Sequence, residues 1–209
     1  MSILSNIGQR TMTQEEKILE LLNGSAFLRS RELKKHGLSR TALSRLVQKE
    51  KVVRTERGLY MKPGEIETEH FSLLEVAKKI PGGVICLLSA LSFHGIGTQN
   101  PYQVWIAIDR KSAKPKVSNT GVRIVRFSEA SLHHGVEKHN ILGITLKVTS
   151  PAKTVADCFK YRNKIGLDVA IEALREGLRD RRFTSDDLYH AALICRIWNI
   201  IRPYAEAMV

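Results

Sequence analysis

The chain has 209 residues, 43% of them hydrophobic, with a net charge of +12 and three cysteines. That composition is globular rather than disordered, and the length allows one large or two small domains. No apolar run reaches the ~18 residues of a membrane span, and "MSILSNIGQR" lacks the charged and apolar regions of a signal peptide. The excess of positive charge points to an anionic partner, nucleic acid ahead of a membrane surface. Cys86, Cys158 and Cys195 form no CxxC and no zinc-type spacing, so they are expected as reduced, buried thiols of a cytoplasmic protein.

Thr13 and Glu16 form an S/T-x-x-E capping box, and Ile18, Leu19 and Leu22 follow at helical spacing. A first helix is expected over about 14–22. Ser30 caps a second, short helix over 31–36, which Gly37 ends. Ser39 caps a third, 40 to about 50. Its apolar residues Ala42, Leu43, Leu46 and Val47 fall on one face. Its other face carries Arg40, Thr41, Ser44, Arg45, Gln48 and Lys49.

"VVRTERGLYM" then reads as two short strands around Gly58, with Val53 and Tyr60 packing inward. Two helices joined across a short glycine turn, followed by a hairpin, are the signature of a winged helix-turn-helix. Residues 1–63 hold 13 Lys/Arg against 6 Asp/Glu, a net +7, and the other 146 residues hold 20 against 15, a net +5. Arginine reads guanine and glutamine reads adenine in the major groove. The expected DNA contacts are therefore Arg40, Thr41, Ser44, Arg45, Gln48 and Lys49 on the helix, with Arg54, Thr55 and Arg57 on the wing touching backbone.

"KPGEIETEH" shifts the composition abruptly, which places a boundary between a 1–63 winged-helix domain and a 64–209 domain. A helix is expected from Phe71 to "PGG". "VICLLSALSFHGI" is a buried helix or a strand–helix mixture, which periodicity cannot separate. "YQVWIAID", "GVRIVRFS" and "ITLKVTS" are strand candidates, and helices follow from Ser150–Pro151 to the C-terminus, "TSDDLYHAALICRIWNII" among them. The fold class expected is α+β: a winged helix-turn-helix followed by a mixed α/β domain with a helical C-terminal end.

Arg110, Lys111, Lys114, Lys116, Arg123, Arg126, Arg179, Arg181 and Arg182 form either solvated loops or a second basic face. "HHGVEKH" gathers His133, His134, Glu137 and His139 in what reads as a loop. Adjacent histidines rarely ligate one ion, so no metal is expected. Asp109 with Lys111 faintly resembles a nuclease site, but the second carboxylate such a site needs for magnesium is missing. No phosphate loop or nucleophile motif is present, so an enzyme is not expected, and no cofactor.

"ERGLY" at the end of the winged helix, "LLSALSFHGI" before "VWIAID", and "SPAKTVADCFKYRNKIGLDVA" together resemble the AbiEi-type antitoxins. These are transcriptional regulators of type IV toxin–antitoxin and phage abortive-infection systems, an antiviral defence. The resemblance implies a repressor of its own operon that binds double-stranded operator DNA with inverted repeats, as a monomer or weak dimer. It implies a second domain that gives immunity to a nucleotidyltransferase-like toxin without a stable complex. It offers no catalytic residues. A winged-helix regulator whose second domain senses a small molecule is the alternative.

Overall fold

In the computed structural model, which describes residues 11–64, 68–115 and 121–208, the chain divides into two compact units, Met1–Ile66 and Glu67–Val209. Both mix helices and sheet, so the chain is α+β.

The first unit begins with α1 (Gln14–Gly24), whose capping box is complete: Thr13 Oγ1 accepts from the Glu16 backbone, and Glu16 returns to the Thr13 N–H at 2.8 Å. β1 (Leu28–Arg29) follows, then a 3-10 helix (Leu33–His36), α2 (Arg40–Gln48), β2 (Val53–Glu56) and β3 (Leu59–Met61). The strands form an antiparallel sheet in the order β1-β3-β2. Ile18, Leu22, Leu28, Leu33, Leu43, Leu46 and Val52 make the core.

Two expectations need correction here. The second helix starts at Leu33, after Glu32, and Ser30 does not cap it. The Ser30 N–H is instead taken by Gly58 O at 3.0 Å, because β1, too short to show a period, pairs with β3. Val53 does not pack inward: it is 38% exposed, and Val52 beside it is buried. Period two sends neighbours to opposite faces, so a register error of one residue inverts the assignment.

The second unit is built on a five-stranded sheet in the order β6-β5-β4-β8-β7. Its strands are β4 (Val84–Ile85), β5 (Val104–Asp109), β6 (Val122–Phe127), β7 (Val136–Ile141) and β8 (Ile144–Thr149). β5 runs parallel to β6, β4 parallel to β8, and the other pairs are antiparallel. α3 (Phe71–Lys79) packs on one face over Ile85, Ile106, Leu146 and Val148. The other face carries α4 (Leu87–His94) and α6 (Pro151–Lys160), with α8 (Leu167–Arg179), α9 (Ser185–Cys195) and α10 (Trp198–Glu206) behind them; α5 (Glu129–His133) and α7 (Arg162–Ile165) are short connectors. β5 is covered on both faces, which is why "VWIAI" shows no alternation. "VICLLSALSFH" resolves into the strand–helix mixture, with Cys86 between β4 and α4.

"HHGVEKH" is not a loop. It contributes β7, a polar, half-exposed edge strand paired with β8 across Leu142 and Gly143. Both turn residues have positive φ, 49° and 71°, as the tight hairpin turn requires. The expected long C-terminal helix is two helices. Arg196 takes left-handed φ of 56° and its N–H reaches back to Ala192 O and Leu193 O, ending α9 without glycine. Among the described residues no helix is long and apolar enough to cross a membrane.

Candidate nucleic-acid interface

α2 is positioned from both ends. Ser39 Oγ accepts from Ala42 N at 3.1 Å, and the Ser39 N–H donates to Gln14 Oε1 of α1 at 3.2 Å. Ala42, Leu43 and Leu46 are buried, which turns Arg40, Thr41, Ser44, Arg45, Gln48 and Lys49 outward as one exposed stripe. Arg45, Thr41 and Ser39 border a concavity of about 530 Å³ that Thr13, Gln14 and Glu15 close on the α1 side. A second concavity, about 520 Å³, brings Arg31 and Lys34 beside Arg40. Sequence reasoning placed Arg31 and Lys34 on a helix without a role. Their signal was the basic run through the turn, but Arg31 lies in the turn before the 3-10 helix and Lys34 within it, so no single helical period places the two together.

Two of the expected contact residues are already engaged, and a third is shut off from solvent. Lys49 Nζ forms an ion pair with Glu15 Oε2 of α1 at 2.7 Å. Arg54 Nε donates to Glu56 O at 3.1 Å, across an irregularity in the β2–β3 register. Thr55 is half-buried, and its hydroxyl is closed to solvent with no hydrogen-bond partner among the described residues. Arg57 stands exposed at the hairpin turn beside Gly58, whose φ of 79° makes that turn.

The residues of the expected second basic face lie on two stretches of the second unit, around β5 and β6 and after α8. Arg110, Lys111 and Lys114 are exposed after β5, and Lys116 lies outside the described residues. Arg126 spends its guanidinium on the same turn, donating to the carbonyls of Asp109, Arg110 and Ser112 at 3.3, 2.7 and 2.8 Å. Arg123 lies over the Trp105 ring, 4.4 Å from its centroid. Farther along the chain, Arg179 makes a two-pronged pair with Asp180 at 2.8 and 3.2 Å. Arg181 sits in left-handed backbone, and Arg182 lies near Gly95 at the end of α4.

Of the remaining polar motifs, Asp109 Oδ1 accepts from the Lys111 N–H at 2.6 Å, a local turn contact. His139 Nε2 lies 3.2 Å from Glu137 Oε2 on β7, and its ring packs edge-on against Phe93. Among the described residues no group of three or more His, Cys, Asp or Glu could hold a metal ion. The three thiols are buried and free, and burial pushes each of them above the ordinary range.

The geometry defines a two-unit α+β protein whose small first unit displays a polar, basic helix face beside a hairpin. Residues 16–61, the same segment, match the model of the family described as "Transcriptional regulator, AbiEi antitoxin". Over these residues the AbiEi-type resemblance read from the sequence is shown. The fold as a whole is similar to the crystal structure of the RV2827C protein from Mycobacterium tuberculosis, with a TM-score of 0.62. That likeness has 13% sequence identity and covers 95% of this chain and 78% of the other. No curated protein sequence matches the chain.

Proposed function

We propose that the first unit is a winged helix-turn-helix and that the chain is a DNA-binding repressor of its own operon. In this reading α2 enters the major groove and the β2–β3 hairpin is the wing. The observation that carries it is the exposed row Arg40, Thr41, Ser44, Arg45 and Gln48, facing away from a fully apolar packing face. Such a row offers guanidinium and amide groups to base edges along one helix side. The family match over residues 16–61 supports the regulator role for this same unit.

The chain further acts as the antitoxin of a nucleotidyltransferase-like toxin, through the second unit and without a stable complex. It is not an enzyme, uses no cofactor and works in the cytoplasm. The engaged side chains narrow the contact set: among the described residues Arg40, Arg45 and Arg57 have no ion-pair partner, whereas Lys49 must first leave Glu15. The test is a binding titration of the full chain on the duplex upstream of its own gene and on a scrambled duplex, with growth scored when the neighbouring gene is co-expressed. Preference for the upstream duplex and rescue of growth are expected. Equal affinity for both duplexes overturns the repressor, and no rescue overturns the antitoxin.

One observation favours the alternative of a small-molecule sensor. A groove of about 510 Å³ in the second unit is lined by His70, Ser72, Ser89, Ser92, Phe93 and Asn100. Its volume suits a small ligand, and the His70 and Phe93 rings meet at a tilt of 41° on its wall, with centroids 4.8 Å apart. Operator affinity that changes with added cell extract of small molecules would favour this reading.

A further inference from the structure

α9 is apolar on two sides. Leu188, Ala191, Ala192 and Cys195 are buried toward the core of the second unit. On the outer side Tyr189, Leu193 and Ile194 are 38%, 45% and 40% exposed. A surface helix with one partner carries polar residues there. The outer aromatic is also pre-set: the Tyr189 ring meets Trp198 edge-on, with centroids 4.9 Å apart. An aromatic held in place loses little freedom when it is covered, and rings of this kind anchor interfaces.

The charges at the two ends of this row identify what covers it. Asp186 stands at the N-terminal end, its side chain 79% exposed and 3.4 Å from His190 Nε2, and Arg196 stands exposed at the C-terminal end. Asp186, Tyr189 and Leu193 follow one another at spacings of three and four and so share one helix face, and Arg196, in left-handed backbone, stands just past its end. We propose that this face is the docking surface for a second copy of the chain, with the two α9 helices antiparallel about a two-fold axis level with Ala191. That placement sets Tyr189 against Leu193 of the partner subunit. In the same register Asp186 faces Arg196 of the partner subunit. Every contact is made twice, as a two-fold interface demands. A parallel pairing would set acid against acid and arginine against arginine, so the charge pattern selects the antiparallel one.

One helix face covers on the order of 800 Å² in total, below the standard interface size, so the association is weak, and the test is set to detect a dissociation constant on the order of 0.1 mM. The proposal does not rest on DNA binding, and its test contains no DNA. Sedimentation velocity of the full chain is run over a concentration series reaching roughly tenfold above that constant. A monomer–dimer equilibrium is expected. Leu193→Glu, exposed and helix-compatible, should raise the dissociation constant about tenfold or more by burying a charge in the contact. Asp186→Arg and Arg196→Asp should each weaken the dimer, and the double reversal should regain most of the loss; circular dichroism confirms that each variant is folded. A protein that stays monomeric throughout the series overturns the proposal. So does a dimer unaffected by Leu193→Glu, or a double reversal no better than the singles.

Discussion

Lys153 Nζ lies 2.5 Å from Asp157 Oδ2, one turn along α6, and both side chains are closed to solvent. The pair is embedded rather than merely covered. Nζ sits 4.7 Å from the Phe127 ring centroid, and Cys195 Sγ donates to the other carboxylate oxygen at 3.3 Å. Burial drives the Asp157 carboxyl above its usual range, and Lys153 pulls it back. Removing one partner leaves a charge in an apolar layer, which costs about 3–5 kcal/mol, whereas replacing both with apolar residues is near neutral. Lys153→Met and Asp157→Leu should therefore each destabilise the second unit strongly, and the double variant should recover most of that loss. Urea unfolding followed by tryptophan fluorescence reads it cleanly, because Trp105 and Trp198 are the chain's two tryptophans and both lie in that unit. Single-variant losses that simply add in the double would show that the two groups do not act as a pair.

His94 gives the same unit a pH dependence. Its Nε2 lies 2.7 Å from Thr149 O, joining α4 to the end of β8. Burial lowers its pKa from 6.5, the Thr149 carbonyl and Glu137 oppose that, and His139 and Arg182 add to it. A histidine depressed in the folded state binds fewer protons there than in the unfolded chain. Its stabilising contribution is thus complete above pH 6.5 and is lost as pH falls below that value toward the folded pKa. Thermal unfolding should show the melting temperature dropping between pH 7 and pH 5. His94→Gln should flatten that drop, and an unchanged profile would remove His94 as its source.

Arg45 projects mid-face from α2 beside the concavity shared with α1. As a base reader, its replacement by alanine should cost about 1–3 kcal/mol on the cognate duplex and relax preference at one base position. Competition binding across single-base operator variants measures this. A uniform loss over all sequences would make Arg45 a backbone contact instead.

Arg57 should touch backbone, because a tight turn cannot enter the groove deeply. Arg57→Ala should lower the slope of log affinity against log salt by about one unit and leave sequence preference intact. Thr55→Val should leave DNA affinity unchanged, since the hydroxyl is shut off from solvent. A salt titration of both variants separates the two roles. An unaltered slope in Arg57→Ala would take that residue out of the interface.

The first unit was largely legible in the sequence. Thr13 with Glu16, Ser39 before an amphipathic run, and Gly37 and Gly58 at left-handed turns are local signals, and local hydrogen bonds and φ preferences act over a few residues whatever surrounds them. The outward row from Arg40 to Gln48 followed from helical periodicity alone. What depended on partners distant in the chain was not legible. β1 exists because Leu28 and Arg29 pair with Leu59 and Tyr60, and that pairing also claims Ser30. β7 is a strand because β8 lies beside it, although the residues between Val136 and Ile141 are all polar. The end of α9 at Arg196 carries no glycine to announce it. Side-chain engagement was decided at the same level. Lys49 is held by Glu15, 34 residues away, and Arg126 by the turn after β5. A sequence states which groups can donate charge, and only tertiary packing determines which of them are already taken.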